Sequence, residues 1–265
     1  MEKQLMYGYR RWAQQRTGQR LEPATVHGRG SPTRVRKQRG RTLTLSMILM
    51  LGATFAAAAA DCTSAAQAEI DWRGCNRRNL DLSGSNLERA QVQEADLSST
   101  DLRSTSLAGA NFEKVKLVRA SLAGAFADKT SFVRVEGYRT NFTGISAKGA
   151  SFQSAELQRA DFTDAALAGA DFEKAELGRA RFKGANLANN KFAFANLARA
   201  DLSEAKIGGP MDFTNAYMFL TRIAGADLSG ATGLTQAQID LTCGDDKTKL
   251  PGGLAPAKNW PCGSD

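Results

Sequence analysis

The sequence predicts an all-β solenoid, built from short repeats and closed by a cap at each end. Three observations predict this fold: large apolar residues recur at every fifth position, phenylalanine recurs at every tenth position within that pattern, and four cysteines flank the repeats without entering them. A five-residue period fits neither the period of about 3.6 residues of an α-helix nor the alternation of a strand. A strict repeat of this kind is typical of solenoids, in which similar coils stack on one another.

The five-residue repeat is clearest between Leu82 and Ile207. Of the 26 positions taken at every fifth residue in this range, 23 hold Leu, Phe, Ile or Val, and the exceptions are Ala127, Gly137 and Ala147. A second column lies two residues before each of these central positions, and 21 of its 26 members are Ala, Ser or Thr. Chance does not keep both columns in phase over this length.

The repeat resembles that of the pentapeptide-repeat family, whose pattern is A-[DN]-[LF]-x-x. Residues 160–164 read ADFTD and residues 200–204 read ADLSE, and the resemblance covers residues 82–231 with one extra residue at Gly208-Gly209-Pro210. It implies a right-handed quadrilateral parallel β-helix in which four repeats form one square coil. It also implies that the large central residue and the small residue two positions before it point inward, while the other three face solvent.

Phenylalanine adds a second period inside the first. It occupies seven central positions at ten-residue intervals from Phe132 to Phe192, and leucine occupies most positions between them. Because two repeats are half a coil, two opposite faces are predicted to carry stacked phenylalanines and the other two to carry leucines. The core is thinnest at Ala127, Gly137 and Ala147. We expect a bulge there, or inward rotation of the neighbouring residues Phe126, Tyr138 or Ile145; a functional cleft is the alternative.

Residues 1–60 are predicted to be a basic leader with a signal peptide. They carry 11 Lys and Arg against two Glu, whereas residues 61–265 carry 24 Lys and Arg against 25 Asp and Glu, so the net charge of +8 belongs to the leader. An arginine-rich stretch precedes an apolar segment, Leu43 to Ala60, that ends in small residues, as in secretory signal peptides. The alternatives are an uncleaved membrane anchor, since a span needs about 20 apolar residues, and a misassigned start before Val35.

The cysteines favour export and define two caps. An even number of cysteines in an exported chain favours disulfides, whereas a metal site needs closer spacing or histidine, and the one histidine of the sequence is His27. We predict a Cys62–Cys75 disulfide in an N-terminal cap at residues 61–81, and a Cys243–Cys262 disulfide in a C-terminal cap at residues 232–265. Trp72 is in phase with the central column. Residues 235–238 read TQAQ, a capping box that begins a short helix.

The residues favour a binding protein over an enzyme. The chain after the leader has no histidine and no glycine-rich phosphate loop, and its carboxylates fall almost entirely in outward columns. We expect no catalytic residues, no cofactor, no metal and no small-molecule substrate.

The predicted function is that of an exported scaffold, periplasmic or extracellular, that presents its surface to a protein or to an anionic envelope polymer. Nucleic acid is not an expected partner, and contact with a membrane is expected only through an uncleaved leader. The resemblance also implies an alternative, because some pentapeptide-repeat proteins mimic DNA and act on type II topoisomerases. That activity requires a cytoplasmic and markedly acidic protein, whereas residues 61–265 are nearly neutral.

Arginine recurs at every twentieth position in one outward column, which we call the arginine column: Arg119, Arg139, Arg159, Arg179 and Arg199. Glutamate recurs with the same spacing three residues earlier, at Glu136, Glu156 and Glu176. One interpretation is a set of surface salt bridges that helps the coils to stack, each contributing about 0–1 kcal/mol. The other is a stripe that binds an anionic polymer or an acidic protein surface.

The signal-peptide interpretation predicts that the mature protein begins near Asp61. Cleavage after Ala58 or Ala60 satisfies the preference for small residues at the cleavage site. Mass spectrometry of the protein from its native source should show the loss of residues 1–58 or 1–60. Recovery of the intact leader in the membrane fraction would support the uncleaved anchor instead.

Overall fold

The structure is a computed structural model that describes residues 60–262. Between Asp71 and Lys249 the backbone forms single-residue parallel β-bridges, each of which joins a residue to the equivalent residue of the next coil. The one helix in the described range is α1 (Gln236–Ile239). Within residues 60–262, no helix has the length and apolar character needed to cross a membrane. The described chain is a parallel β-helix, as predicted.

The bridges give the coil a constant length of four repeats. Asp71 pairs with Gln91, and every later bridge keeps this spacing in sequence up to the insertion at residues 208–210. Lys191 then pairs with Asp212, one position later than the same spacing would give. The single extra residue predicted at Gly208-Gly209-Pro210 is therefore confirmed, and the coils on either side of it stay in register.

Each repeat turns through one tight corner of two residues. In one example, the Ala90 N–H donates to the Leu87 carbonyl at 3.1 Å, and the residues between them form the corner. The second corner residue has a positive φ, as at Arg89 (55°) and Gly109 (67°). Glycine adopts this conformation without penalty, whereas it costs other residues about 1–2 kcal/mol. A corner that keeps another side chain does so against the preference of the backbone.

Asp or Asn often precedes the central residue because its side chain supports the corner. The Asp171 carboxylate accepts a hydrogen bond from the Glu173 N–H at 2.9 Å, and the Asn111 side chain accepts one from the Glu113 N–H at 3.0 Å. A hydrogen bond to the backbone two residues further on is the geometry of an Asx turn. This contact is the physical reason for the [DN] position of the repeat.

The two inward columns fill the interior as predicted, and the seven phenylalanines at ten-residue intervals are fully buried. Rings in equivalent positions of successive coils stack face to face, with centroids 4.6 Å apart for Phe142 and Phe162 and 4.8 Å apart for Phe152 and Phe172. Rings half a coil apart meet edge to face, as Phe152 and Phe162 do at 5.6 Å. Each buried phenylalanine contributes about 1.5–3 kcal/mol, so this stack is a main source of stability.

The prediction of a bulge at the three small central residues is wrong. The bridges keep their constant spacing past Ala127, Gly137 and Ala147. Leu157 of the next coil fills the space at Gly137, since a Cβ atom there would lie 2.7 Å from its Cδ2 atom. At Gly137 the interior stays filled because this leucine takes up the missing volume.

Of the three residues expected to turn inward, only Ile145 is buried, in the column two positions before the central one. Phe126 and Tyr138 remain on the surface, 58% and 37% exposed. Phe126 forms β-bridges with both neighbouring coils, and turning it inward would break them. Backbone register therefore prevails over the burial of these aromatic rings.

An inward-pointing arginine covers the N-terminal end of the β-helix. Arg77 lies in phase with the central column, and its guanidinium carbon is 3.9 Å from the ring centroid of the fully buried Trp72. The guanidinium also donates to the carbonyls of Cys62 at 2.9 Å and Ser64 at 2.7 Å. The Cys62–Cys75 disulfide ties the segment that supplies these carbonyls to the first coil. The sequence analysis placed Trp72 correctly but gave Arg77 no role.

The C-terminal end is covered by α1. The Gln238 N–H donates to the Thr235 hydroxyl oxygen at 3.3 Å, and the Thr235 N–H donates to Oε1 of Gln238 at 2.9 Å, so the predicted capping box is confirmed. The Gln238 side-chain amide also donates to the carbonyls of Phe213 and Ala216, at 3.0 and 2.9 Å. The N3 residue of the helix thus satisfies carbonyls at the open end of the last coil.

The chain after α1 is held by the disulfide between Cys243 and Cys262, which is the pair expected from the sequence. Trp260 in this loop donates from its indole N–H to the Thr242 carbonyl at 2.8 Å. Both ends of the hydrogen-bonded stack are therefore covered, as the exposed edge of a β-structure requires.

Phe162→Ala should destabilise the protein by about 3–5 kcal/mol, because it removes one ring from the centre of the stack and leaves a cavity. Phe126→Ala is the matched control, since the same ring is removed from an exposed position, and it should have little effect. Denaturant unfolding measures both free energies. Equal losses in the two variants would contradict the assignment of inward and outward columns.

Acid should weaken the junction between the C-terminal cap and the coils. The pKa of Asp227 is lowered to about 2 by hydrogen bonds from Ser229 and from Lys249 of the cap. Because the folded pKa lies below that of the unfolded chain, this contribution is present above about pH 4 and is lost as the pH falls toward 2. Asp227→Asn should flatten the fall in melting temperature over that range. Asp246→Asn, an exposed carboxylate of the same cap, should keep the wild-type pH profile.

Candidate functional site: a basic groove along one corner

The arginine column lies along one corner of the β-helix. Each of its five members is the second residue of a corner, is exposed, and has a φ between 57° and 61°. At the following corner of the same coils, glycine holds this position at residues 84, 124, 144, 184 and 225. The arginine corner has no glycine from residue 79 to residue 220. Five successive arginines therefore occupy positions where the backbone favours glycine.

A shallow groove, which we call the basic groove, runs beside this corner. It consists of two adjoining depressions of about 560 and 210 Å³ that share Arg179 and Arg181. The first is also lined by Arg139, Thr140, Asn141, Arg159 and Asp161, and the second by Ala180, Arg199, Asp201, Leu220 and Arg222. One wall is the arginine column. The other is the column of bridge residues that lie two positions after each of these arginines in the sequence.

The groove is strongly basic, since its lining carries six arginines against two aspartates. Asp161 is paired with Arg181 at 2.7 Å and so offsets only one of these charges. Guanidinium groups bind carboxylate, phosphate and sulfate groups through paired, charge-assisted hydrogen bonds. Asn141 adds a neutral, partly exposed amide to the first depression, whereas the Thr140 hydroxyl is buried and donates to the Leu117 carbonyl at 2.7 Å. This chemistry suits an anion with several charged groups arranged along a line.

The salt bridges expected between the arginine column and the glutamates are not formed in the centre of the column. Within residues 60–262, no ion pair of 4 Å or less joins Arg139, Arg159 or Arg179 to a carboxylate. Glu176 instead accepts a hydrogen bond from Asn196 at 2.8 Å. The glutamates are bridge residues on the flat part of a face, whereas the arginines leave from its corner. The equal spacing in sequence correctly predicts that the two sets of side chains lie at the same level along the stack. It does not predict that they point in different directions.

One wall of the groove, the arginine column, was predicted from the sequence, and the other wall was not. Asp161, Arg181 and Asp201 form a column with the same spacing in sequence, but their mixed charges hide it. Arg222 continues this column through its bridge with Asp201. Because of the extra residue at 208–210, it lies one position later than the twenty-residue spacing of the column would give. The signal that could have found them is the fixed offset of two residues from the arginine column.

The groove offers hydrogen-bond donors and positive charge for binding. Within residues 60–262, no group of three or more His, Cys, Asp or Glu residues is placed to hold a metal ion. The groove is open to solvent, and its lining combines arginine with small polar residues.

The repeat observed in the structure matches a known family. The profile described as "Pentapeptide repeats" matches residues 95–132, 138–167 and 165–204, in eight copies. The chain is a pentapeptide-repeat protein. The expected family membership is therefore confirmed, and the matched repeats include all five members of the arginine column.

Solved pentapeptide-repeat proteins are similar to this chain. One is HetL, a protein involved in heterocyst differentiation regulation in the cyanobacterium Nostoc sp. strain PCC 7120. HetL is 26% identical to this chain, the match covers 74% of this chain and 91% of HetL, and the TM-score is 0.33. Another is QnrB1, a plasmid-mediated fluoroquinolone resistance protein, at 17% identity, 67% and 90% coverage and a TM-score of 0.43. A third, from the Arabidopsis thaliana thylakoid lumen, is 24% identical, with 47% and 69% coverage and a TM-score of 0.26. Comparison with curated protein sequences gave no match.

Proposed function

We propose that this pentapeptide-repeat protein is an exported, non-enzymatic scaffold that binds an extended anionic partner along the basic groove. The observation that carries the proposal is the unbroken arginine column. Its members occupy corners where glycine is favoured, and those at its centre have no carboxylate partner within the described chain. Within residues 60–262, Arg159 and Arg179 are kept at this conformational cost without an ion pair to a carboxylate that offsets it, which supports a role outside the fold.

Export is part of the proposal. It is supported by the sequence pattern of the leader and by the two disulfides, Cys62–Cys75 and Cys243–Cys262, which persist in oxidising compartments. The leader itself lies outside the described residues. The periplasm or the extracellular space would place the groove among proteins and anionic envelope polymers.

We extend the proposal to the cross-section and hand of the coil. Four corners and four lines of β-bridges occur in each coil, which supports a four-sided cross-section. A right-handed path is supported by the general preference of crossover connections between parallel strands.

The DNA-mimic alternative would need an acidic surface that resembles the phosphate backbone. The groove has the opposite sign, with six arginines against two aspartates. We therefore do not extend the proposal to topoisomerases.

The proposal predicts salt-dependent binding of a simple polyanion, poly-L-glutamate, to the full chain. Arg159→Gln with Arg179→Gln should weaken this binding about tenfold at low salt, because two charge-assisted contacts are lost. High salt should weaken binding by the wild type, since exposed charges are screened. The free energy of unfolding of the double variant should stay near that of the wild type.

Arg89→Gln with Arg134→Gln is the matched control. Both arginines are exposed second corner residues with a φ of 55°, but they lie on other corners, so the same net charge is removed elsewhere. Isothermal titration calorimetry gives the affinity of each protein. Equal weakening in both double variants, or binding that ignores salt, would contradict a specific role for the groove.

A further inference from the structure

Aromatic rings lie beside the C-terminal end of the basic groove. Tyr217 and Phe219 are 52% and 39% exposed, and their ring planes differ by 12° with centroids 6.3 Å apart. Leu220 and Arg222, in the same repeat and the next, line the groove. We call Tyr217 and Phe219 the aromatic platform. Exposed apolar groups that lie next to one another can mark interaction sites on soluble proteins.

The charge pattern on this face makes the platform reachable from the groove. The bridge column that Tyr217 continues holds glutamate at positions 136, 156 and 176, and these carboxylates would repel a polyanion. The column then changes to Asn196 and Tyr217, neither of which is a carboxylate. A polyanion in the groove can therefore extend onto this face at its C-terminal end, where the aromatic platform lies.

The pitch of the coils indicates what kind of polyanion fits. Stacked phenylalanines place successive coils 4.6–5.1 Å apart, and the arginine column supplies one cation per coil. This rise is about the length of one pyranose ring in an extended polysaccharide. Phosphates along one strand of duplex DNA rise by about 3.4 Å each along the axis and wind around it, so they do not match a straight row with this spacing. One carboxylate per sugar ring matches one arginine per coil.

The geometry points to an acidic polysaccharide with one carboxylate per sugar, a polyuronate, as the partner. Its carboxylates would pair with arginines in the groove, and the apolar face of a sugar ring would stack on Tyr217 and Phe219. Aromatic side chains suit this task because one surface provides a large contact area at little conformational cost. This inference rests on the proposed function, since it names the chemical class of the anionic partner.

The test measures binding of three polymers to the full chain: polygalacturonate, fully methyl-esterified polygalacturonate and poly-L-glutamate. Wild type should bind the first most tightly, because only that polymer combines sugar rings with charge. Tyr217→Ser with Phe219→Ser should weaken polygalacturonate binding roughly tenfold and leave poly-L-glutamate binding unchanged. Phe126→Ser, which removes an exposed phenylalanine from another face, should change neither affinity. Unchanged poly-L-glutamate binding also shows that the double variant is folded.

The outcomes separate this inference from the proposed function. If polygalacturonate and poly-L-glutamate bind equally and the platform variant changes neither, the polyuronate inference is overturned while the basic groove remains a polyanion site. If neither polymer binds, both proposals are overturned. Tighter binding of single-stranded oligodeoxythymidine than of polygalacturonate would also overturn the inference, since bases stack on exposed aromatic rings as well.

Discussion

The hydrogen bonds between successive coils are the constraint on which the rest of this structure depends. The Trp72 N–H donates to the Gln91 carbonyl at 2.7 Å, the Gln91 N–H donates to the Ile70 carbonyl at 2.8 Å, and equivalent contacts recur along the stack. Because these bonds require coils of equal length, equivalent residues of successive coils lie directly above one another. The same register therefore stacks the phenylalanines inside and aligns the arginines outside. It also explains why Phe126 stays in solvent although the core beside it is thin.

Interior and surface place separate demands on each repeat. The central residue and the small residue two positions before it fill the core, and Asp or Asn supports the corner, so the core places few demands on the two corner residues. At the corner after the arginine column these positions often hold glycine, which relieves the backbone. The arginine corner does the opposite over five coils. Two corners of the same coils thus differ, since one often relieves the backbone with glycine and the other carries a row of cations.

Most of the fold could be predicted from the sequence because its determinants are local and periodic. The two inward columns, the insertion at residues 208–210 and the capping box at Thr235 all follow from spacing. Arg77 could not be predicted in the same way, since an arginine in an inward column is accepted only because Trp72 and two carbonyls surround it. The second wall of the groove was also missed. Sequence spacing gives the height of a side chain on the stack, whereas its direction depends on whether it leaves from a face or from a corner.

The constant pitch of the arginine column has a consequence for any partner with a matching repeat. Identical cationic subsites that follow one another at equal intervals offer several equivalent registers to a polymer. A chain can shift by one unit and recover the same contacts, so the bound state consists of many arrangements of nearly equal energy. Affinity then rises with the number of available registers as well as with the number of contacts. With such a partner, the surface would retain a long polymer while leaving it free to slide along the coils.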